Sequence, residues 1–154
     1  MKPIRNSAKA IIIQNEKILL TKNQDDLGYF YLFPGGGQDH GEDLKDAVMR
    51  ECLEKIGEKV EVSELLYVRE YIGKNHEFSQ WDSDVHQIEF YFNCSLASIS
   101  EASTFLNGTN PDNDQVGVEW IEFKNLDEIR LYPKALSNII KQNNITTRYL
   151  GDVN

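Results

Sequence analysis

Cysteine is scarce in this chain: Cys52 and Cys94 are the only two among 154 residues, and no Cys-x-x-Cys pair occurs. A zinc knuckle or a thioredoxin-type redox site therefore has no support. Both cysteines stand among apolar neighbours, which predicts reduced, buried thiols and suits a reducing compartment. Long apolar runs are missing as well, and none approaches the roughly 20 residues of a membrane-spanning helix. Residues 1–6 are polar and lead directly into a strand-like run, with no signal-peptide core before it. The expected location is cytoplasmic, with no membrane partner. Positive charge is also in short supply: 16 Lys and Arg against 25 Asp and Glu leave a net charge of −9. Such a surface repels a polyphosphate backbone, which argues against DNA or RNA as a partner. A small anionic substrate stays compatible with it, provided a metal screens the local carboxylates. The three histidines, His40, His76 and His86, show no metal-ligand spacing. What remains is 40% hydrophobic and 27% charged, ordinary for a globular protein, and the length fits one domain over residues 1–154.

Ala10 to Ile13 is a buried-strand run, Asn15-Glu16 a turn, and Lys17 to Thr21 its hairpin partner. Asn23 to Gly28 is expected to be loop, and Tyr29 to Phe33 a short strand stopped by Pro34-Gly35-Gly36-Gly37. Leu44, Val48, Cys52 and Ile56 recur every four residues, the stripe of a helix over Glu42 to Ile56, with Gly57 as its stop. Strands are expected over Val60 to Ile72, Val85 to Leu96 and Val116 to Phe123, and loops over Gly73 to Asp84 and Ser98 to Asp114. In Val85 to Leu96, Ile88, Phe90 and Phe92 face one way while Gln87, Glu89 and Tyr91 face the other. A helical turn fits Leu126 to Ile129 and a closing helix Pro133 to Gln142, with a surface tail from Asn143. Two helices far apart in sequence can cover opposite faces of one mixed sheet, so the expected fold class is α/β, an α/β/α sandwich.

The chemistry concentrates after Gly35-Gly36-Gly37. Glycines behind a strand let the backbone turn tightly and approach a ligand. The helix that follows carries Asp43, Arg50, Glu51, Glu54 and Glu58, and Glu51, Glu54 and Glu58 share one face. A solvated acidic face is the common explanation of such a cluster; a divalent-cation site is the sharper one, because Mg²⁺ takes hard oxygen ligands.

Gly36, Glu42 six positions later, and Arg50-Glu51-Cys52-Leu53-Glu54-Lys55-Ile56-Gly57 together resemble the Nudix box, G-x5-E-x7-R-E-U-x-E-E-x-G-U with U a bulky aliphatic. Six fixed positions are matched: Gly36, Glu42, Arg50, Glu51, Glu54 and Gly57. The resemblance extends more loosely to the Gly-rich lead-in after Phe33-Pro34 and to Glu119-Trp120-Ile121. It implies a Nudix-type α/β/α sandwich and a divalent-metal-dependent pyrophosphohydrolase acting on a nucleoside diphosphate joined to another moiety, a nucleotide or nucleotide sugar, with Mg²⁺ or Mn²⁺ as cofactor. It implies Glu51 and Glu54 as metal ligands, with help from the Gly36 carbonyl. Arg50 would orient a carboxylate or the glycine loop, and Glu42 would pair with Arg50 or reach the metal through water. The alternatives are a plain surface ion pair for Arg50 and a first-turn acid favoured by the helix dipole for Glu42. A homodimer is compatible with this reading, as is a catalytically weakened Nudix fold that only binds nucleotide.

The departures are Lys55, where the family has the second Glu of its pair, Glu58 for the final aliphatic, and Cys52 for an aliphatic. Lys55 stands four residues after Glu51 and could pair with it, competing with a metal, or contact substrate phosphate. Family members often draw a further carboxylate from outside the box. Asp114, a few residues before Glu119-Trp120, is the candidate general base, with Asp112 and Glu89 as alternatives; turn chemistry or a solvated strand face would explain each equally. His86, followed by Gln87, is a candidate substrate contact or a structural residue. Among Tyr29, Tyr31, Phe78 and Trp81 at least one is expected to stack a base.

Overall fold

The computed structural model describes residues 2–98, 104–105, 107–142 and 147–154. Among the described residues ten strands build the sheet: β1 (Arg5–Gln14), β2 (Lys17–Asp25), β3 (Gly28–Leu32), β4 (Gly35–Gly37), β5 (Val60–Ile72), β6 (His86–Leu96), β7 (Thr104–Phe105), β8 (Gln115–Glu122), β9 (Leu131–Tyr132) and β10 (Tyr149–Asp152). The helices are α1 (Leu44–Ile56), the single turn α2 (Ser79–Asp82) and α3 (Ala135–Gln142). The main path runs β10-β5-β6-β1-β2-β3-β9, with β4 on β1 and β8 on β2. β1 lies parallel to β6, antiparallel to β4 at Ser7 to Lys9, and antiparallel to β2 only at the hairpin end, Ile13 and Gln14. The sheet is mixed, as expected.

Burial on both faces explains the apolar run of β1. Ala8, Ala10 and Ile12 pack with Ala47, Val48, Cys52 and Ile56 of α1. Ile11 joins Ile18, Leu20 and Tyr91 beneath Leu136 and Ile140 of α3. A strand covered on both faces is apolar throughout instead of alternating. Each fully buried aliphatic of this kind contributes about 1.5–3 kcal/mol. The two helices thus cover opposite faces of one sheet, the α/β/α sandwich.

Several elements differ from the sequence expectation. The segment from Asn23 to Asp25 continues β2 instead of starting a loop, held by pairing with β3. Gly35–Gly37 is itself a strand hydrogen-bonded to β1, not merely a stop. The helix begins at Leu44, because Asp43 is its N-cap and accepts from the Asp46 N–H at 2.8 Å, while Glu42 is engaged elsewhere. Gly57, at φ +70°, closes it with its N–H on the Leu53 carbonyl, a conformation that costs a side chain dearly and glycine little. The expected loop from Gly73 contains α2. Of the expected loop from Ser98, residues 99–103 and 106 lie outside the described residues; Thr104–Phe105 pairs with β8. The tail also departs from expectation: residues 143–146 lie outside the described residues, and β10 joins the sheet parallel to β5. Among the described residues no helix is long and apolar enough to cross a membrane. Cys52 and Cys94 are buried free thiols, as expected, and burial raises both, Cys94 to about 12.

Candidate active site

β4 and α1 face one another, and Arg50 ties them together. Its Nη2 donates to the Gly37 carbonyl at 2.9 Å and to Glu42 Oε1 at 2.6 Å, and its Nε donates to Glu42 Oε2 at 3.0 Å. Its Nη1 donates to Glu51 Oε1 at 2.9 Å and reaches both oxygens of Glu54 at 3.5 Å. Asp39 Oδ2 stands 3.5 Å from its Nε. Arg50 is therefore no plain surface ion pair. The Glu42 carboxylate also accepts the Asp39 N–H at 2.8 Å. The Arg50 guanidinium first, and that N–H second, bring the Glu42 carboxyl down to about 2.

One guanidinium here faces four carboxylates, so the local charge is strongly negative. Glu51 is the extreme case. It is 7% exposed, not on the solvated acidic face that its spacing allowed, and its Oε2 is buried with no hydrogen-bond partner among the described residues. That oxygen lies against Gly36: a Cβ built there would stand 2.4 Å from it. An unpaired buried carboxylate oxygen costs several kcal/mol unless a cation completes it. Two helix carboxylates that share Arg50 Nη1, beside a glycine backbone, are a hard-oxygen donor set suited to Mg²⁺ or Mn²⁺. Among the described residues no group of three or more His, Cys, Asp and Glu side chains is arranged to hold a metal ion, so the candidate donor set is limited to Glu51, Glu54 and the glycine backbone.

Lys55 takes another course from the one its spacing suggested. Its ammonium donates to the Asn110 carbonyl at 2.9 Å and pairs with Asp112 Oδ1 at 3.1 Å, rather than with Glu51. Gly108 N–H and Asn110 N–H cap the Lys55 and Glu54 carbonyls, and Gln115 Nε2 donates to the Lys55 carbonyl at 2.7 Å. The segment from Asn107 to Gln115 is thereby stapled to the end of α1, and Asp112 belongs to the staple. Glu58 is half-buried just beyond that helix end.

Asp114, at the end of the same segment, is exposed and lines a cavity of about 480 Å³ together with Lys9, Gln87 and Glu89. Glu89 is 2% exposed, not a solvated strand face. It takes two bonds from Arg69 Nη2, at 2.9 and 3.0 Å, one from Arg69 Nε at 3.0 Å, and one from the Tyr91 hydroxyl at 2.7 Å. Burial pushes its carboxyl up, but the charges of Arg69 and Lys9 outweigh that and hold it below the usual range. Of the expected base stackers, Phe78 and Trp81 line this cavity, Tyr31 belongs to the core, and Tyr29 lies under the Lys22 ammonium. Phe30 and Tyr132 complete the aromatic wall, with the Phe78 and Tyr132 rings edge to face at 5.5 Å. Phe30, Tyr132, Lys9 and Arg69 stand in no motif of the sequence; the one signal there is the Arg130-Leu131-Tyr132 cluster before Pro133.

A second cavity, of about 900 Å³, opens on the other side of Gln87. Lys2, Pro3, Arg5, His40, Glu42 and His86 are among the residues lining it. His86 hydrogen-bonds Glu70 Oε1 through its Nε2 at 3.2 Å.

A family model described as NUDIX domain matches residues 3–142. The chain belongs to the Nudix family. Among curated proteins it is similar to mouse "Nucleoside diphosphate-linked moiety X motif 6", 28% identical over 114 residues, which cover 74% of this chain and 33% of that one. The chain thus spans about a third of that relative's length. Among solved structures, a NUDIX hydrolase from Nitrosomonas europaea superposes with a TM-score of 0.71 at 18% identity, covering 96% of this chain and 93% of the other. An ADP-ribose pyrophosphatase from Streptococcus suis superposes at 0.60 with 21% identity, covering 96% and 98%. At such identities the superpositions establish a shared fold. The Nudix box of this chain is the segment in which Arg50 gathers Glu42, Glu51 and Glu54 against β4.

Proposed function

We propose that this Nudix domain hydrolyses a phosphoric anhydride in a nucleoside diphosphate joined to a second moiety, with Mg²⁺ or Mn²⁺ as cofactor, in the cytoplasm. The observation that carries the reading is the buried, unpartnered Glu51 Oε2 against Gly36, in a site with one positive charge and four negative ones. Glu51, Glu54 and the Gly36 carbonyl are assigned to hold the cation. When bound, the cation would neutralise phosphate charge and make a bound water more acidic. Arg50 positions Glu51 and fixes the Gly37 carbonyl through its bidentate fork, and Glu42 fixes Arg50. Asp114, exposed at the rim of the cavity, takes the proton of the attacking water. Glu89, already saturated by Arg69 and Tyr91, keeps the cavity wall in shape and is not assigned as base. The aromatic wall accepts the nucleobase by stacking. Lys55 is reassigned from substrate contact to staple.

The binding-only reading finds one supporting observation, the absence of the family's second box glutamate at Lys55. One experiment separates the two. Purified protein is incubated with a panel of nucleoside triphosphates, nucleoside diphosphate sugars and dinucleoside polyphosphates, with Mg²⁺ and with Mn²⁺, and release of phosphate or nucleoside monophosphate is read. Glu54→Gln, which removes a ligand charge and keeps the shape, should abolish most turnover; a rate within about twofold of wild type at saturating Mn²⁺ removes Glu54 from the ligand set. Nucleotide binding with no release from any substrate supports the binding-only reading.

A further inference from the structure

Arg5 stands apart from the other charged residues around the larger cavity. Lys2 pairs with Asp84 at 3.0 Å, His86 bonds Glu70, and Asp39 and Glu42 are taken up by Arg50. The backbone of Arg5 pairs with β6 at Gln87, but among the described residues its exposed guanidinium, like the His40 ring on the same wall, makes no hydrogen bond or ion pair. Its guanidinium nevertheless has a defined place. It lies flat on Gly37, where a Cβ would stand 2.4 Å from Nη2, 2.6 Å from Nε and 2.9 Å from Cζ. Gly37 is the residue whose carbonyl Arg50 holds, and its neighbour Gly36 lies against Glu51. A cation with five donors therefore sits one residue from the proposed cation site, on the side that opens into the 900 Å³ cavity. Gln87 and Val85 line both this cavity and the aromatic-walled one, so the two adjoin.

From this geometry we infer that the larger cavity receives the moiety on the far side of the cleaved bond, and that Arg5 selects one bearing its own phosphate. The inference rests on the hydrolase reading above and names its substrate class. A substrate spanning both cavities places its base on the aromatic wall and its anhydride at Gly36 and Glu51. The next group then meets Arg5. A guanidinium without a carboxylate partner gains most from an anion that matches its fork, a terminal or bridging phosphate; a neutral sugar offers it only hydroxyl oxygens. On a chain of net charge −9, an unpaired guanidinium offers a polyphosphate a positive charge of its own on that cavity wall.

The test compares two substrate classes in wild type, Arg5→Gln and Arg5→Lys. The anionic class is a nucleoside triphosphate and a dinucleoside polyphosphate; the neutral class is a nucleoside diphosphate hexose. The quantity read is the ratio of kcat/KM for the anionic class to that for the neutral class. Arg5→Gln should lower this ratio about 10- to 100-fold, mainly through KM, and Arg5→Lys should restore part of it. A ratio within about twofold of wild type in Arg5→Gln overturns the inference while leaving the hydrolase reading intact. If wild type cleaves neither class, the hydrolase reading fails. Calorimetry with a methylene-bridged triphosphate analogue then decides the role of Arg5: at least about tenfold weaker binding by Arg5→Gln supports it, and unchanged binding overturns it.

Discussion

Replacing Lys55 by the glutamate of the Nudix consensus should damage this protein. On spacing alone the substitution adds a carboxylate to an acidic face and strengthens a metal site. The structure reverses that expectation, because the Lys55 ammonium points away from Glu51 to the Asn110 carbonyl and Asp112. The Lys55 side chain is 12% exposed and that of Asp112 46%, so the ion pair is partly screened and contributes about 0.5 kcal/mol. The charged hydrogen bond to the carbonyl contributes about 1.5 kcal/mol. A glutamate in its place would face Asp112, adding repulsion of about 0.5 kcal/mol. The total is about 2.5 kcal/mol, or a fall in Tm of about 5–10 °C for a domain of this size. Because Asp114 lies two residues beyond Asp112 and inside the stapled segment that closes at Gln115, turnover should fall with stability rather than rise. Thermal unfolding of the free protein and turnover against Mg²⁺ concentration measure the two effects. Pairing Lys55→Glu with Asp112→Lys should recover much of the stability. Unchanged Tm together with turnover at lower Mg²⁺ than wild type would refute the reasoning and put Lys55 at the metal site.

Gly36→Ala should leave the fold in place and lower turnover about 100-fold, because the new methyl displaces a carboxylate that Arg50 and the surrounding core confine; a moderate rate with unchanged metal requirement would show that Glu51 can move freely. Asp152 accepts bonds from the Ile72 N–H, Asn75 and His76; burial would raise its carboxyl, but Asn75, His76 and the Ile72 N–H hold it at about 2. Its contribution is therefore present above the ordinary carboxylate range and lost as pH falls through about 2. Asp152→Ala should cost about 1–2 kcal/mol at pH 7, and urea unfolding at pH 7, 4 and 2 should show that difference shrinking on acidification; a constant difference contradicts the assignment.

The box could be read directly because its chemistry fixes residue types at fixed helical spacing, and β5 because its bounding signals, Gly57 before it and Gly73 after it, are local. What escaped the sequence depended on partners distant along the chain. Glu89 resembled a solvent-facing residue because it is charged and alternates with apolar ones; only the β5–β6 register that sets Arg69 opposite it turns that face into a buried wall. Lys55 could not be oriented without knowing that the segment from Asn107 returns to the end of α1. Phe30 and Tyr132 carry no signal apart from aromaticity, and it is the parallel pairing of β3 with β9 that brings them to one rim.

Lys2 and Pro3 line one cavity, and Asn154, held through its Oδ1 by Arg69 and donating to Glu77, lines the other. Arg69 thus divides one guanidinium between the Glu89 carboxylate and the Val153 and Asn154 oxygens, so the wall of the aromatic-lined cavity is braced by a segment far away in sequence. A substitution at either of those two residues should therefore be read as a change in that wall before it is read as a surface change.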